Sequence, residues 1–491
     1  MPDTDPTATA DAATDLAIED YLEPRREERL ERLKAFLRIP SISALPDHAA
    51  DVRRAAEWLA DELRAAGVEN VEVSDTGGHP IVYGDWLHAT GAPTVIVYGH
   101  YDVQPVDPLD EWRTPPFEPQ VDGNRLIGRG AGDDKGQIHA HVAAAAALLA
   151  TRNRLPINVK YVFEGEEESS SVHLDPWLTA NRERLTADAA IISDTGFFEG
   201  NIPAITLTLR GLMYAQIDVR LAAIDLHSGS YGGAVHNPAV ALAQIIAALK
   251  GPDGRIRIPG FYDTVIEATE AERAALAALP FDEEAFREET GAPALVGESG
   301  YTTLERKSIR PTLDVNGIWG GFQGEGSKTI IPATAHAKVS TRLVADQEPE
   351  DIFEKLKAFV DEIAPPGVDV TVTLLGWGRP SRTPLDDRFV QAASRGLERT
   401  FGQAPVYINA GGSIPIAASF QRILGLPVVL EGFTQPNDLA HAPNEWLDLD
   451  NYEGAIRAIV ATFDEIAALG RAGNRALDQS STGGDRRSTD G

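Results

Sequence analysis

Residues 94–102 read TVIVYGHYD, residues 136–150 read GQIHAHVAAAAALLA, and residues 157–168 read INVKYVFEGEEE. The first and third are short apolar, β-branched runs of the kind found in strands covered on both faces, and each ends abruptly in histidine or carboxylates. The second has the length and alanine content of a helix. Strand, helix, strand in that rhythm predicts an α/β domain whose mainly parallel sheet is flanked by helices. Further strands are expected at 71–73, 81–83 and 190–192, and amphipathic helices at 17–38 and 50–66, the second stopped by Gly67.

Beyond about residue 205 the pattern changes. Strands are expected at 213–220, 335–344 and 368–375. One helix runs to residue 250 from Asn237-Pro238, a cap and first-turn pair; another spans 349–364 and is stopped by Pro365-Pro366-Gly367. These two β-α-β-like halves predict a compact α+β sandwich, with 251–330 as a long insertion of helices and loops. The segment 376–384, GWGRPSRTP, reads as a return linker, after which the α/β style resumes and closes on a helix at 452–469. The expected organisation is therefore an α/β domain in two parts, 17–207 and 383–470, interrupted by an inserted domain at 208–382. The ends, 1–16 and 471–491, are too polar to bury a core and are expected to be disordered.

Composition narrows the function. In 491 residues, 44 Lys and Arg face 74 Asp and Glu, a formal net charge of −30. Such a surface repels phosphate backbones, so nucleic acid is not an expected partner. The longest apolar candidate, 142–150, falls far short of the roughly 20 residues a membrane-spanning helix needs. The acidic N-terminus lacks the basic and apolar regions of a signal or transit peptide, so a cytoplasmic location is expected. There is no cysteine, which leaves histidines and carboxylates as the available metal ligands.

Those residue types fall at the ends of the expected strands. Strand 94–98 runs into Gly99-His100-Tyr101-Asp102, strand 157–163 into Glu164-Gly165-Glu166-Glu167-Glu168, and strand 190–192 into Ser193-Asp194; the Gly-rich turn 128–136 sets Asp133 and Asp134 just before a helix. Ligands of open α/β sheets bind at the carboxyl ends of strands, so these segments are expected on one rim. Taken singly, each Asp reads equally as a turn or cap residue, and three consecutive Glu as a solvated face. Following a buried strand, however, clustered carboxylates are costly unless a cation offsets them. His100 and Asp102, two apart on extended backbone, point the same way, so the carboxylate can orient the imidazole while its other nitrogen binds metal, a pairing that suits zinc.

Six ordered motifs carry a resemblance: residues 98–105, 128–136, 164–169, 225–229 (DLHSG), 411–415 (GGSIP) and 441–445 (HAPNE). Together they resemble the two-zinc peptidase and amidohydrolase family of carnosinase-type dipeptidases, glutamate-releasing carboxypeptidases, aminoacylase and succinyl-diaminopimelate desuccinylase, and are most similar to the dipeptidase branch. The match runs from about residue 20 to 470. It implies that His100 and Asp194 hold one divalent ion, Glu168 and His441 a second, and that Asp133 bridges the two, with Zn the expected metal and Mn or Co acceptable. It further implies Glu167 as general base and acid, Asp102 as the partner of His100, and a cis peptide after Asp133. Such a metal pair activates a shared water and polarises the scissile carbonyl.

The resemblance also implies a homodimer, in which His227 of the inserted lid and dimerisation domain reaches the partner's active site and stabilises the oxyanion. On its own, His227 reads as a loop residue. Arg342 would clamp the substrate's carboxylate, helped by Thr329 and the backbone at Gly412 and Ser413; as a plain sequence feature it is a surface strand arginine. Asn409-Ala410 stands where many dipeptidases carry charged residues. The expected activity is hydrolysis of the amide bond of dipeptides or short peptides with a free C-terminal carboxylate. An N-acyl-amino-acid deacylase would use the same catalytic set, and a metal-bound scaffold without catalysis is the alternative from another class.

Overall fold

The computed structural model describes residues 16–411 and 414–482. The expected disorder at 1–15 and 483–491 lies outside the described residues, as do Gly412 and Ser413. The chain forms two compact units. The first comprises Met1–Thr206, Thr383–Val406 and Ser419–Gly491; the second comprises Leu207–Arg382 and Tyr407–Ala418.

The largest sheet contains β1 (Glu69–Ser74), β2 (Ile81–Trp86), β3 (Thr94–His100), β4 (Asn158–Glu164), β5 (Ala189–Ile192), β6 (Ala204–Leu209) and β7 (Val428–Glu431), in the order β1-β2-β4-β3-β5-β7-β6, all in the first unit up to Thr206 of β6. Strand β3 runs parallel to both β4 and β5, and β5 parallel to β7; β1, β2 and β6 add antiparallel at the flanks. The sheet is thus parallel at its centre, where β5 and β7 are buried throughout and β3 and β4 at every position but the first. The apolar runs of β3 and β5 allow this because they have no polar face to present to water; in β4 the buried Lys160 donates to the carbonyls of Arg184 and Thr186. Parallel neighbours also align their carboxyl ends, so His100, Glu164 and Ile192 finish on the same edge.

Helix Lys135–Arg152 covers the sheet and packs against Ala49–Ala66 and Leu449–Thr482. Its start is pinned by an unusual group. Lys135 is fully buried and donates from Nζ to the carbonyls of Phe36 (3.3 Å) and Ile39 (2.7 Å), at the C-terminal end of helix Arg26–Leu37. Each carbonyl also accepts a backbone N–H, Phe36 from Ile39 and Ile39 from Ser41, so the Lys135 amine adds a second donor to each at the negative end of the helix dipole. Helix Arg388–Phe401 packs on Leu449–Thr482 through Gly396, where an added Cβ would lie 2.5 Å from Thr462 Oγ1.

The second unit holds a four-stranded antiparallel sheet in the order Thr312–Gly320, Thr334–Leu343, Gly211–Arg220, Asp369–Gly378. Burial alternates along Gly211–Arg220 and Thr334–Leu343, and the buried face packs on helices Pro238–Leu249 and Pro349–Ile363 around Met213, Ile217, Val339 and Leu356. Asn237 caps the first of these helices, its side chain accepting from the Ala239 N–H at 2.9 Å, and Pro238 opens it.

Three local expectations change. The stretch 251–330 contains a strand, Thr312–Gly320; Asn316-Gly317 breaks its alternation in the sequence because the strand bulges between Val315 and Gly317. The supposed linker begins as strand, since Asp369–Gly378 continues past a bulge at Leu374/Gly376, and Ser381–Arg382 pairs with β6. The last helix runs to Thr482, past residue 469. In addition, Tyr407–Ala418 clusters with the second unit.

Leu356 is fully buried beneath the second sheet. Leu356→Ala should destabilise that unit by about 2–5 kcal/mol, the cost of removing a core leucine, read as a lower urea midpoint for its unfolding.

Candidate metal centre

Five side chains from five separate stretches converge in the first unit. His100 ends β3, and its Nε2 lies 2.9 Å from Asp133 Oδ1 and 3.9 Å from Asp194 Oδ1. His441 presents its own Nε2 to the other oxygen of Asp133, Oδ2, at 2.9 Å and to Glu168 Oε2 at 3.2 Å. The ligand atoms form two triads, His100-Asp133-Asp194 and Asp133-Glu168-His441, within 4.8 Å of one another in each, sharing Asp133. The resemblance implies this same grouping.

The chemistry of this donor set fits two cations. An imidazole nitrogen and a carboxylate oxygen 2.9 Å apart both carry lone pairs unless a proton or a metal lies between them. The carboxylates therefore hold both imidazoles protonated: burial opposes the charged form of His100, but Asp102, Asp133 and Asp194 outweigh it and raise its pKa, while Asp133 and Glu168 push His441 up to about 10. In turn burial would raise Asp133, but the two imidazoles win and lower it. Burial pushes the Asp194 carboxyl up to about 6 and raises Glu167 well above the usual carboxylate range. A cation in each triad would take the place of the imidazole proton and favour the ionised carboxylates.

The surrounding hydrogen bonds orient these groups. His100 Nδ1 donates to the Asp102 carbonyl at 3.1 Å, with the Asp102 carboxylate at 3.5 Å, so Nε2 is the nitrogen that would offer a lone pair once a cation took the place of its proton. The Asp102 carboxylate, fully buried, accepts the backbone N–H groups of Glu167 (3.2 Å) and Glu168 (3.0 Å). Its principal work is thus to fix the turn that carries Glu167 and Glu168, beyond the single role with His100 that the spacing implied. Gln104 Nε2 donates to Glu168 Oε2 at 2.7 Å. Of the three consecutive glutamates, Glu166 turns away and accepts from His79 N at 2.9 Å and from His173. The peptide after Asp133 is cis.

Sequence reasoning assigned no role to Glu445, yet it builds the loop that presents Asp133. It is fully buried; Oε1 accepts from the N–H groups of Gly132 (3.0 Å) and Asp133 (3.1 Å), and Oε2 from Gly130 N (3.0 Å) and the Arg129 guanidinium (2.7 Å). Burial pushes its carboxyl up to about 7 against the pull of Arg129 and these N–H donors. The signal was present as a Glu four residues after His441 and an Arg in the Gly-rich turn, but nothing local links positions 129 and 445.

The remaining candidates lie in the second unit. His227 and Thr329 come together there: Leu226–His227 pairs with Ile330–Ile331, and Ser228 N donates to the Thr329 carbonyl at 3.2 Å. His227 is exposed, its Nδ1 accepting from Gly229 N at 3.0 Å. Arg342 sits on strand Thr334–Leu343, half-buried, its side chain without a hydrogen bond or ion pair among the described residues. Histidines 139 and 141 are buried in helix Lys135–Arg152, and burial pushes both down to about 3, so they are neutral structural groups bonded to Tyr452 and Ser193.

Comparison with known proteins follows the same lines. A family model described as Peptidase family M20/M25/M40 matches residues 96–465. The chain is 32% identical over 466 residues to a Cys-Gly metallodipeptidase, dug1, of Schizosaccharomyces pombe (92% of this chain, 98% of that one). It is 31% identical over 476 residues to the Beta-Ala-His dipeptidase of Homo sapiens (91% and 92%). Among solved structures, an M20 family metallo-carboxypeptidase of Sulfolobus solfataricus superposes with a TM-score of 0.76 at 35% identity (90% and 99%).

Glu445→Ala would leave Arg129 buried without a counterion and four donors without an acceptor. It should cost about 3–5 kcal/mol, as breaking a buried pair does, measured by urea unfolding against Glu445→Gln, which keeps an acceptor and should lose less.

Proposed function

The chain belongs to peptidase family M20/M25/M40, and from that premise we propose that it is a metal-dependent dipeptidase acting on substrates with a free C-terminal carboxylate. The carrying observation is the pair of triads that share Asp133. In this reading the first unit is the catalytic domain and the second the inserted lid and dimerisation domain. His100 and Asp194 would hold one divalent ion, Glu168 and His441 the other, and Asp133 both; Zn suits the set, and Mn or Co can replace it. When bound, the ions supply Lewis acidity, lowering the pKa of water and polarising the scissile carbonyl.

The chain's own residues do the rest. Glu167 takes a proton from the attacking water and delivers it to the leaving nitrogen, a task for a carboxylate next to the ligands but outside both triads. The Asp102 carboxylate holds the backbone of Glu167 and Glu168 together, so base and ligand keep one spacing. Arg342, whose side chain has no partner among the described residues, takes the substrate carboxylate, with Thr329 and the Gly412-Ser413 backbone as further contacts.

His227 completes the reading as an oxyanion donor to the site of a second copy. Its support is an exposed imidazole whose Nε2 has no partner among the described residues. Support for a homodimer is the edge strand Thr312–Gly320, which exposes Val315, Ile318 and Trp319; such an edge calls for cover. No described helix is long and apolar enough to cross a membrane, and the reading keeps the sequence expectation of a cytoplasmic enzyme.

Glu167→Ala should retain two equivalents of metal and lose about a hundredfold or more in kcat; turnover at the native rate with metal retained would remove Glu167 from the mechanism. Chelation should abolish hydrolysis of dipeptides, and Zn, Mn or Co should restore it, with free amino acids as products; release from N-acyl amino acids alone would turn the assignment to a deacylase. Mixing Glu167→Ala with His227→Ala chains should recover part of the activity through heterodimers, and well-formed mixed dimers without activity would refute the role of His227 in trans.

A further inference from the structure

The two triads share Asp133 but are held by different means. His100 is the last residue of β3 and Asp194 stands two residues beyond the end of β5, so their places follow from the pairing of two buried parallel strands. His441 has no such support. It lies within residues 437–445, an irregular excursion between β7 and the strand Trp446–Asp448, closed at its base where Trp446 donates from its backbone N–H to the Asp438 carbonyl and from Nε1 to the Asn437 carbonyl, both at 2.9 Å. Within it Leu439, His441 and Asn444 have φ of 60°, 63° and 67°, left-handed backbone that asparagine accepts readily and leucine resists. The His441 side chain is 57% exposed, so packing does little to fix it. Such a segment keeps one shape only if bonds from outside impose it.

Glu445 ties the end of this excursion to the 129–133 turn, and Asn444 ties it to a second loop. The Asn444 Oδ1 accepts the Arg113 N–H at 2.7 Å and its Nδ2 donates to the Glu111 carbonyl at 2.9 Å, so each end of the amide is used and both partners are main chain. The loop it grips is itself fixed. Trp112 donates from Nε1 to the Val106 carbonyl at 2.8 Å, and its ring lies 5.4 Å from the Arg129 guanidinium, the counterion of Glu445. The same loop begins at Gln104, whose amide donates to Glu168 Oε2. Residues 104–113 thus serve both unshared members of the second triad, Glu168 directly and His441 through the chain that carries it. Among the described residues, none of their hydrogen bonds reaches His100 or Asp194.

We propose that Asn444 is a positioning residue that sets the metal affinity of the Asp133-Glu168-His441 triad and leaves that of the His100-Asp133-Asp194 triad alone. It rests on the reading of the triads as a metal pair and deepens that reading by giving the two sites separate supports. Asparagine meets both demands of the position, a left-handed backbone and a side chain that donates and accepts at once. Aspartate keeps the backbone and the acceptor but loses the donor; glycine keeps the backbone alone. With the amide gone, His441 ranges over more positions, and the entropy of gathering it is charged against metal binding.

The test equilibrates the full-length protein with buffers of graded free Zn²⁺ and counts the bound metal, with the absorption of the Co²⁺-loaded protein as a second readout. The wild type should fill two equivalents in two steps, and His441→Ala marks the step that belongs to its triad. Asn444→Gly should weaken that same step about tenfold or more and move the other by less than about twofold, with Asn444→Asp between glycine and wild type. Urea unfolding checks that each variant is folded, and Asn444→Asp carries the test if Asn444→Gly is not. Unchanged metal steps in the folded variants would overturn the proposal, as would equal weakening of both steps, which is what a general loss of structure produces. A wild type that takes up fewer than two equivalents would remove the two-metal reading itself, and the role of Asn444 with it.

Discussion

A single buried carboxylate, that of Glu445, holds the turn on which the candidate metal centre depends. Three backbone N–H groups, of Gly130, Gly132 and Asp133, and the Arg129 guanidinium all donate to it. A glycine-rich turn has many conformations open to it, and Glu445 selects one by satisfying donors that would otherwise be buried and unpaired. Asp133 then stands between two imidazoles with each of its oxygens 2.9 Å from one of them. Because Glu445 lies four residues from His441, the same segment supplies both a member of one triad and the brace for the residue that the two triads share.

Around this brace, the parallel centre of the sheet does the coarse positioning. Strands β3, β4 and β5 end side by side, so His100, the turn bearing Glu167 and Glu168, and Asp194 are delivered to one rim by strand pairing alone. The Asp102 carboxylate performs for the 167–168 turn what Glu445 performs for the 129–133 turn, accepting two successive backbone N–H groups. Both devices are buried acids whose cost is offset by several donors, and both leave the triad side chains free to face one another. The second unit follows another logic: its helix-covered sheet face is apolar, while a cavity that Arg342 and Arg210 share is cationic.

Much of this was legible in the linear chain because its signals are local. Apolar β-branched runs marked the central strands to within a few residues, and Asn237-Pro238 and Pro365-Pro366-Gly367 marked helix ends. The strand Thr312–Gly320 escaped because its bulge and its exposed edge remove the alternation that reveals a strand. Ordered motifs identified His100, Asp133, Glu168, Asp194 and His441 as a set. Within the run of three identical glutamates nothing local separates their roles; the resemblance alone set Glu167 apart from Glu168, and the structure adds that Glu166 turns toward His173 while Glu168 faces His441.

By itself, then, the sequence determined the α/β class, the absence of thiolate chemistry, and which residue types end which strands, because composition, periodicity and turn chemistry act over a few neighbouring residues. Only the tertiary structure decided that Arg129 and Glu445, 316 positions apart, form one buried ion pair. It also decided that Asp102 braces a turn 65 residues away and that Arg210 and Arg342 share a cavity with too few carboxylates to balance it. These are relations between groups whose energies depend on burial and distance, and neither quantity exists until the chain has folded.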